Sequence, residues 1–278
     1  MRIAMAQITA GFEPSANLAL VREEAAAVAA DGADLVVFPE ATMCRFGRSL
    51  REVAEPLDGP WATGVRDIAE QLGIAVIVGM FTPGAGDKIR NTVLVVDRDG
   101  RPSRYDKIHC YDAFGFAESD TVEPGAHALV VDLPIGSAAS CRLGVATCYD
   151  LRFPELFGSL ADAGAEVIAV PTSWGAGPGK VEQWRTLTAA RALDAGAFVV
   201  AVDQAPPPDA GTHRAPTGVG RSRLVDPFGS VVDDEYGETP VTRVHEVDPG
   251  IAARARETLG MRANRRGFAP PGSSTPHD

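Results

Sequence analysis

Cys148 is the residue of this chain best placed to act as a nucleophile. An apolar run that begins at Gly144 predicts a buried strand ending at this cysteine, and Pro154 then predicts the start of a helix. Open α/β sheets bind their ligands at the carboxyl ends of the strands. A thiol reacts as its thiolate, and most isolated cysteines are buried structural residues, so Cys148 needs chemical partners before it indicates catalysis.

Two further residues would supply the thiol with a base and with a nearby positive charge. Glu40 follows a buried apolar run directly after Pro39, where an apolar setting would let it act as a base near neutral pH. Lys107 lies beyond a predicted hairpin, where its ammonium would favour the thiolate and stabilise the negative oxygen of a tetrahedral intermediate. The structural alternatives are a helix-capping carboxylate for Glu40 and an exposed surface lysine for Lys107.

Histidine is the more usual partner of a nucleophilic thiol. His109 and His213 are candidates, but neither lies in a recognisable Cys-His setting. Tyr149 and Asp150 also follow Cys148 where a glycine-rich elbow would be needed. The set of Glu, Lys and Cys is therefore favoured, and its chemistry requires neither a metal nor a cofactor.

Hydrophobic periodicity and turn signals predict the elements that position these residues. Ser15 is the predicted N-cap of a first helix that stops at Gly32. Pro60 begins a second helix, and Asp248 with Pro249 opens the last one. The remaining predictions are strands at 2–8, 35–38, 74–81, 91–96 and 101–105, and a helix at 181–194.

The second half of the sequence repeats features of the first half in the same order. The matching segments are 3–8 with 143–148, 32–39 with 164–171, 73–79 with 196–202, and the turn 97–100 with 226–229. Two similar α/β halves are the simplest explanation, with their sheets packed together, helices outside and strand ends facing one crevice. A single doubly wound sheet does not explain hairpins at the same place in each half.

Composition excludes several classes of function. The 278 residues include 26 Lys and Arg against 37 Asp and Glu, a net charge of −11, which disfavours binding to nucleic acid or to an anionic membrane. The four cysteines form no C-x-x-C pair and the five histidines have no zinc-ligand spacing, so we expect no metal. Gln7 interrupts any secretory signal and no apolar run reaches bilayer length, which predicts a cytoplasmic protein.

Three segments resemble the signature regions of the carbon–nitrogen hydrolase, or nitrilase, superfamily. They are 38–40 (Phe-Pro-Glu), 105–109 (Tyr-Asp-Lys-Ile-His) and 148–156 (Cys-Tyr-Asp-Leu-Arg-Phe-Pro-Glu-Leu). The resemblance covers residues 2 to about 266 and implies an α/β fold in the form of a four-layer αββα sandwich with an internal pseudo-two-fold repeat. It also implies that Glu40 is the general base, that Lys107 stabilises the oxyanion and donates a proton, and that Cys148 is the nucleophile. Glu118 matches the family's second glutamate, which would orient Lys107 and the substrate.

Within the superfamily, the segment at Cys148 together with Trp184 and Arg191 is most similar to the branch of omega-amidase and deaminated-glutathione amidase. That branch implies hydrolysis of a small linear amide through a cysteine thioester, and a homodimer or larger homo-oligomer. An N-carbamoyl hydrolase or a nitrilase would use the same triad, and a non-catalytic binding relative or a thiol redox sensor is a more remote alternative. We expect one domain at 1–263 and a tail at 264–278 that is flexible or lies at a subunit interface.

The residues that would bind substrate follow the nucleophile or the equivalent strand of the second half. Tyr149 would donate its backbone N–H to the oxyanion. Arg152 would bind a substrate carboxylate or, equally, form a structural pair with Glu155 or Glu166. The glycine-rich loop that begins at Ser173 and Trp174 would cover the crevice. Cys110 and the residues after Glu40 depart from the family pattern, which leaves the pocket lining open.

Overall fold

Residues 1–136, 139–210 and 215–267 are described by the computed structural model. Over these ranges the chain forms five α-helices and twelve β-strands. The helices are α1 (Pro14–Ala30), α2 (Pro60–Leu72), α3 (Pro154–Asp162), α4 (Lys180–Ala195) and α5 (Gly250–Leu259). The strands are β1 (Arg2–Gln7), β2 (Leu35–Val37), β3 (Ala75–Pro83), β4 (Ile89–Val96), β5 (Pro102–Asp106), β6 (Leu129–Ile135), β7 (Ala139–Val145), β8 (Val167–Thr172), β9 (Phe198–Asp203), β10 (Arg223–Val225), β11 (Val231–Val232) and β12 (Val241–Glu246).

The strands form two six-stranded mixed sheets with the same internal plan. The first sheet has the order β12-β1-β2-β3-β4-β5 and the second has the order β11-β10-β9-β8-β7-β6. In the first, β1, β2 and β3 are parallel and β4 and β5 follow as an antiparallel hairpin. In the second, β7, β8 and β9 are parallel and β10 and β11 follow in the same way. The predicted internal repeat is therefore present in the topology.

The two hairpin turns show how closely the halves correspond. Asp97 Oδ1 accepts hydrogen bonds from the N–H groups of residues 99 and 101, both at 2.9 Å. Asp226 Oδ1 accepts from the N–H groups of residues 228 and 230, also at 2.9 Å. Gly100 and Gly229 occupy the left-handed region at φ 76° and 86°, which glycine adopts without strain.

The alternation of side chains along the strands produces four layers. In β1, Ile3 and Met5 join the core between the two sheets, while Ala4 and Ala6 join the core beneath α1 and α2. On the other sheet, α3 and α4 bury Phe157 and Trp184 completely. The order of layers is helices, sheet, sheet, helices.

Some local predictions were wrong or incomplete. Helix α1 begins at Pro14 with Glu13 as the N-cap residue, so Ser15 lies inside the first turn and does not cap it. Pro14 takes the first helical position because its fixed φ and missing N–H suit that position. Strand β12 was not predicted, and it completes the first sheet from the far end of the sequence by pairing antiparallel with β1. Residues 264–267 of the predicted tail are described, while 268–278 lie outside the described residues.

Candidate active site

Glu40 lies in a tight turn at the carboxyl end of β2. Ala41 has φ 58°, and the turn packs directly onto the backbone of β3 at Gly79. A Cβ atom added to Gly79 would lie 2.5 Å from Ala41 N and 2.8 Å from Pro39 O, so no larger residue fits there without a shift of the backbone. The close approach of two backbone segments thus fixes where the Glu40 carboxylate points.

Glu40 is 1% exposed, and both of its carboxylate oxygens accept hydrogen bonds. Asn91 Nδ2 donates to Oε1 at 2.8 Å and Lys107 Nζ donates to the same oxygen at 3.1 Å. The backbone N–H of Ser173 donates to Oε2 at 2.9 Å. The expectation of an apolar setting for this carboxylate was therefore wrong, because its immediate neighbours are polar donors.

Lys107 follows β5 and is held between two carboxylates. Its Nζ lies 3.1 Å from Glu40 Oε1 and 2.9 Å from Glu118 Oε2, and the residue is 2% exposed. Burial acts to lower the pKa of Lys107, but the charges of Glu118 and Glu40 outweigh it and raise the pKa well above its ordinary value. The ammonium therefore stays charged at neutral pH.

Glu118 begins a short 3₁₀ turn and is the second carboxylate in contact with Lys107. It accepts hydrogen bonds from Tyr111 N at 2.6 Å and from Asn91 Nδ2 at 3.2 Å. Burial acts to raise the pKa of Glu118, yet the charge of Lys107 and the hydrogen bond from Tyr111 hold that pKa below its ordinary value. The ionised form of Glu118 is thus the stable partner of Lys107.

Cys148 opens a 3₁₀ helix with φ 48°, and β7 ends at Val145, three residues before the predicted strand end. The cysteine itself therefore adopts the left-handed conformation at this turn. Its Sγ donates to the carbonyl oxygen of Ser173 at 3.7 Å. Burial and the charge of Glu40 raise the pKa of Cys148 well above its ordinary value, although Lys107 opposes them. The resting residue is a neutral thiol, and attack requires a base that removes its proton.

Asp150 joins the turn of the nucleophile to the segment that carries Lys107. It is fully buried, and its Oδ2 accepts from Thr147 N at 2.9 Å and from the Tyr105 hydroxyl at 2.7 Å. Its Oδ1 accepts from His109 N at 3.1 Å and lies 2.7 Å from His109 Nδ1. His109 also stacks on Phe153 with 3.6 Å between ring centroids, so its ring is engaged with these partners. The other histidine considered as a base, His213, lies outside the described residues.

The four predicted catalytic residues line one cavity of about 280 Å³. Other members of the lining were also predicted, namely Tyr149, Arg152, Ser173 and Trp174. Ser173 contributes through its backbone, because its hydroxyl donates to Pro216 O at 2.9 Å. Trp174 is 3% exposed, and its indole Nε1 donates to Lys180 O at 2.9 Å, which holds the ring in the wall of the cavity.

Arg152 lies in the cavity wall and forms neither of the two structural pairs that were considered as the alternative to substrate binding. Its Nη2 donates to Gln183 Oε1 at 2.6 Å, and its Nε is buried without a hydrogen-bond partner. In the described part of the chain, neither Glu155 nor Glu166 forms an ion pair with it. Its guanidinium lies 5.4 Å from the ring centroid of Trp174.

A further cation in the cavity wall, Lys180, was not predicted as a site residue. It is 7% exposed, and its Nζ lies 3.4 Å from the ring centroid of Phe114 and 3.4 Å from the Tyr111 hydroxyl. Burial and the nearby charge of Arg152 lower the pKa of Lys180. The signal available in the sequence was the position of Lys180 at the end of a glycine-rich loop and at the start of α4.

Two other polar residues near the catalytic groups, Asn91 and Asp203, were not predicted. Asn91 contacts both Glu40 and Glu118 from β4, and Asp203 ends the buried strand β9. The available signal in the sequence was a polar residue near one end of a strand, the third residue of β4 and the last residue of β9. Over residues 1–136, 139–210 and 215–267, no group of three or more His, Cys, Asp and Glu side chains could hold a metal ion. No helix within these ranges is long and apolar enough to cross a bilayer.

Comparison with known proteins agrees with the fold. Residues 2–257 match the family described as carbon–nitrogen hydrolase, and the chain belongs to that family. A hydrolase from Mycobacterium tuberculosis is 50% identical over 277 residues, with 96% of each chain covered. A deaminated glutathione amidase from Escherichia coli O157:H7 is 32% identical over 249 residues, which covers 88% of this chain and 89% of the relative.

A solved structure of the amidase from Nesterenkonia sp. AN1 has a TM-score of 0.75 and 25% identity, and covers 95% of this chain and 99% of that one. That structure shows acrylamide added to the active-site cysteine of the Nesterenkonia enzyme. The predicted superfamily, the αββα fold and the enzyme class, a carbon–nitrogen hydrolase with amidases among its relatives, are confirmed.

Proposed function

We propose that the protein hydrolyses a small linear amide through a thioester on Cys148. Glu40 removes the thiol proton as Sγ attacks the amide carbon, and the ammonium of Lys107 with the N–H of Tyr149 stabilises the resulting oxyanion. Glu40 then passes its proton to the departing nitrogen, which leaves as ammonia. The contact that carries this proposal is the buried hydrogen bond of 3.1 Å between Lys107 Nζ and Glu40 Oε1, beside a neutral Cys148 thiol.

The second half-reaction uses the same groups. Glu40 takes a proton from a water molecule, whose oxygen attacks the thioester carbon, and a second oxyanion forms against Lys107. The carbon–sulfur bond then breaks, the thiol regains its proton from Glu40 and the carboxylic acid leaves. One amide and one water thus become one acid and one ammonia. Glu118 neutralises part of the charge of Lys107 and orients its ammonium.

The test of this mechanism is ammonia release from a panel of short amides, together with mass spectrometry of the enzyme during turnover. We expect an acyl adduct on Cys148 in the wild type and neither adduct nor ammonia with Cys148→Ala. Carbon dioxide among the products would show that an N-carbamoyl compound is the substrate, and turnover of nitriles would show a nitrilase. A thiol that becomes a sulfenic acid without hydrolysis would show a redox sensor. Ammonia release by Cys148→Ala at the wild-type rate would contradict the mechanism.

We further propose that the acyl part of the substrate carries a carboxylate. Arg152 and Lys180 both line the cavity, and in the described part of the chain no carboxylate pairs with either of them. Both lie against aromatic rings, which attract a cation without neutralising it. An entering carboxylate would gain charge-assisted hydrogen bonds from both residues. The cavity volume of about 280 Å³ suits a short chain.

A matched pair of substrates tests this preference. Glutaramate carries a carboxylate at the end opposite its amide, and pentanamide has a similar length without the charge. We expect the wild type to prefer glutaramate, and Lys180→Met to lower kcat/KM for glutaramate by about 10-fold, the scale of one charge-assisted hydrogen bond. Lys180→Arg should retain much of the preference. Equal losses for both substrates in Lys180→Met would contradict a carboxylate-binding role.

For the chain as a whole, we propose one domain over residues 1–263, a cytoplasmic location and a homodimer or larger homo-oligomer. Four free cysteines support a reducing compartment. Leu259 and Met261, which are 37% and 42% exposed, lie just before the tail and support an intermolecular contact there. Light scattering on the full chain and on a truncation after residue 263 measures whether the assembly depends on the tail.

A further inference from the structure

Asp203 is a buried carboxyl group to which the mechanism above assigns no role. It ends β9, is 0% exposed and accepts a backbone hydrogen bond on each of its oxygens. Trp174 N donates to Oδ1 at 2.7 Å and Val219 N donates to Oδ2 at 2.7 Å. Burial raises the pKa of Asp203 well above its ordinary value, while these two hydrogen bonds oppose the shift. A carboxyl group buried at such cost normally has a structural or functional purpose.

The peptide that Asp203 contacts is the one that faces the nucleophile. In a trans peptide the N–H and C=O groups point in opposite directions within one rigid plane. The N–H of the Ser173–Trp174 peptide points to Asp203, and the C=O of the same peptide accepts the hydrogen bond from Cys148 Sγ at 3.7 Å. By accepting the hydrogen bond from Trp174 N, Asp203 therefore also sets the direction of the Ser173 carbonyl group.

The neighbouring amide extends this arrangement to the general base. Ser173 N donates to Glu40 Oε2 at 2.9 Å, so two consecutive N–H groups are divided between Glu40 and Asp203. The next residue of the chain after Asp203 acts on the same glutamate from its backbone side, because Gln204 Nε2 donates to Glu40 O at 3.0 Å. The end of β9 thus holds the loop of Ser173 and the turn of Glu40 in one arrangement.

We propose that Asp203 is a positioning residue that fixes the Ser173–Trp174 peptide, so that its carbonyl orients the Cys148 thiol and the preceding amide orients the Glu40 carboxylate. The inference rests on the proposed roles of Cys148 and Glu40. Trp174 is secured separately, since its indole donates to Lys180 O and its ring packs against Trp184 at 5.5 Å between centroids. Loss of Asp203 should therefore affect proton transfer and attack more than substrate binding.

Asp203→Asn is the direct test, because an amide keeps the shape of the carboxylate but offers only one acceptor to two N–H groups. We expect kcat to fall by about 10- to 100-fold, the scale of a misplacement of about 1 Å in the reacting groups. KM for the same amide should stay within about threefold, as expected when ground-state binding is kept. The rate at which iodoacetamide alkylates Cys148 should fall in parallel with kcat.

Tyr236→Phe is the matched control for loss of a buried hydrogen bond. The Tyr236 hydroxyl lies 2.9 Å from His245 Nε2, and neither residue lines the cavity. This variant should lose stability while keeping wild-type kcat and alkylation rate. If Asp203→Asn does not fold, Asp203→Ser, whose hydroxyl can accept from one of the two amides, carries the same expectations.

Two results would overturn the proposal. Wild-type kcat and alkylation rate in a folded Asp203 variant would show that the peptide is oriented by other contacts. Equal loss of kcat and substrate affinity, with the alkylation rate unchanged, would show a role in shaping the pocket instead. A failure of the proposed function is distinguishable, because the wild type itself would then show no ammonia release that depends on Cys148.

Discussion

The Tyr105 hydroxyl donates a hydrogen bond of 2.7 Å to Asp150 Oδ2 in the buried centre of the molecule. Tyr105 lies on β5 in the first half of the chain, two residues before Lys107, and Asp150 lies two residues after Cys148 in the second half. Burial and the charge of Asp150 raise the pKa of Tyr105 well above its ordinary value, so the hydroxyl remains a donor at every physiological pH. This contact thus links the segment of the proposed oxyanion stabiliser to the turn of the proposed nucleophile, together with the contacts of His109 with Asp150.

Tyr105→Phe should lower both stability and turnover. Asp150 Oδ2 keeps its hydrogen bond from Thr147 N, so the cost is that of one buried hydrogen bond, about 1 kcal/mol in the free energy of unfolding. Turnover should fall several-fold because Lys107 and Cys148 are then held less firmly in position relative to each other. Urea unfolding and steady-state kinetics measure the two effects. An unchanged kcat at reduced stability would mean that His109 and Thr147 suffice to hold Asp150.

Glu40→Gln should abolish most turnover while preserving the fold. The amide can keep the hydrogen bond from Ser173 N, but it cannot take the proton of Cys148, and general bases contribute about 10²- to 10⁴-fold. Ammonia release measures the loss, and circular dichroism checks the fold. Glu123→Gln is the control, because Glu123 pairs with Arg90 at 2.8 Å and does not line the cavity. Activity near wild type in Glu40→Gln would assign the base to another group.

Glu118→Gln should change the dependence of stability on pH. The pKa of Glu118 in the folded protein lies below the ordinary 4.5, so its charge stabilises the fold above that value and the contribution is lost as the pH falls through the lowered pKa. The raised pKa of Lys107 acts in the opposite sense, with a contribution that is complete below 10.5 and lost as the pH rises through the folded value.

The difference in unfolding free energy between the wild type and Glu118→Gln should be about 2 kcal/mol near neutral pH, the scale of a hydrogen bond to a charged group, because Lys107 keeps its ion pair with Glu40. That difference should shrink as the pH falls below about 4.5. Urea titrations across this range measure it. A difference that does not vary with pH would show that the carboxylate charge of Glu118 is unimportant for the fold.

Gly79→Ala should damage the site through the backbone. The added methyl group would meet Ala41 N at 2.5 Å, so the turn of Glu40 must move away from β3. Overpacking of this kind costs about 1–3 kcal/mol, and the shift of Glu40 should reduce kcat as well. Gly86→Ala is the control, since nothing lies within 4 Å of a Cβ at that glycine, although its φ of 59° carries some strain. Normal kinetics in Gly79→Ala would show that the turn adapts.

The site residues that the sequence predicted are those that directly follow a strong local pattern, such as an apolar strand or a hairpin. Glu40 and Cys148 each follow an apolar strand, and Lys107 follows a hairpin, so local patterns located all three. The pairing of β8 with β9 brings Asp203 to the Ser173–Trp174 peptide, and the path of the glycine-rich loop brings Lys180 to the cavity. Both depend on long-range features of the fold. Ser15 failed as a cap because the local preference of Pro14 for the first helical position prevailed.

The fold was predictable for a related reason. The repeat of the Asp97 turn at Asp226 indicated two equivalent units, and the same side-chain hydrogen bonds occur in both. Strand β12 was harder to predict. In the second sheet the equivalent position beside β7 is filled by β6, which directly precedes β7 in the chain, whereas β12 is distant from β1 in the sequence. Local sequence patterns do not predict that two strands so far apart in the sequence will pair.

The position of β12 has a consequence for folding during synthesis. The second sheet is assembled from consecutive strands, β6 to β11, whereas the first sheet must wait for Val241–Glu246 to pair with β1. Until the ribosome has released that segment, β1 presents an unpaired edge at which other chains can add a strand. The sheet whose strands are made first is therefore the sheet that is completed last.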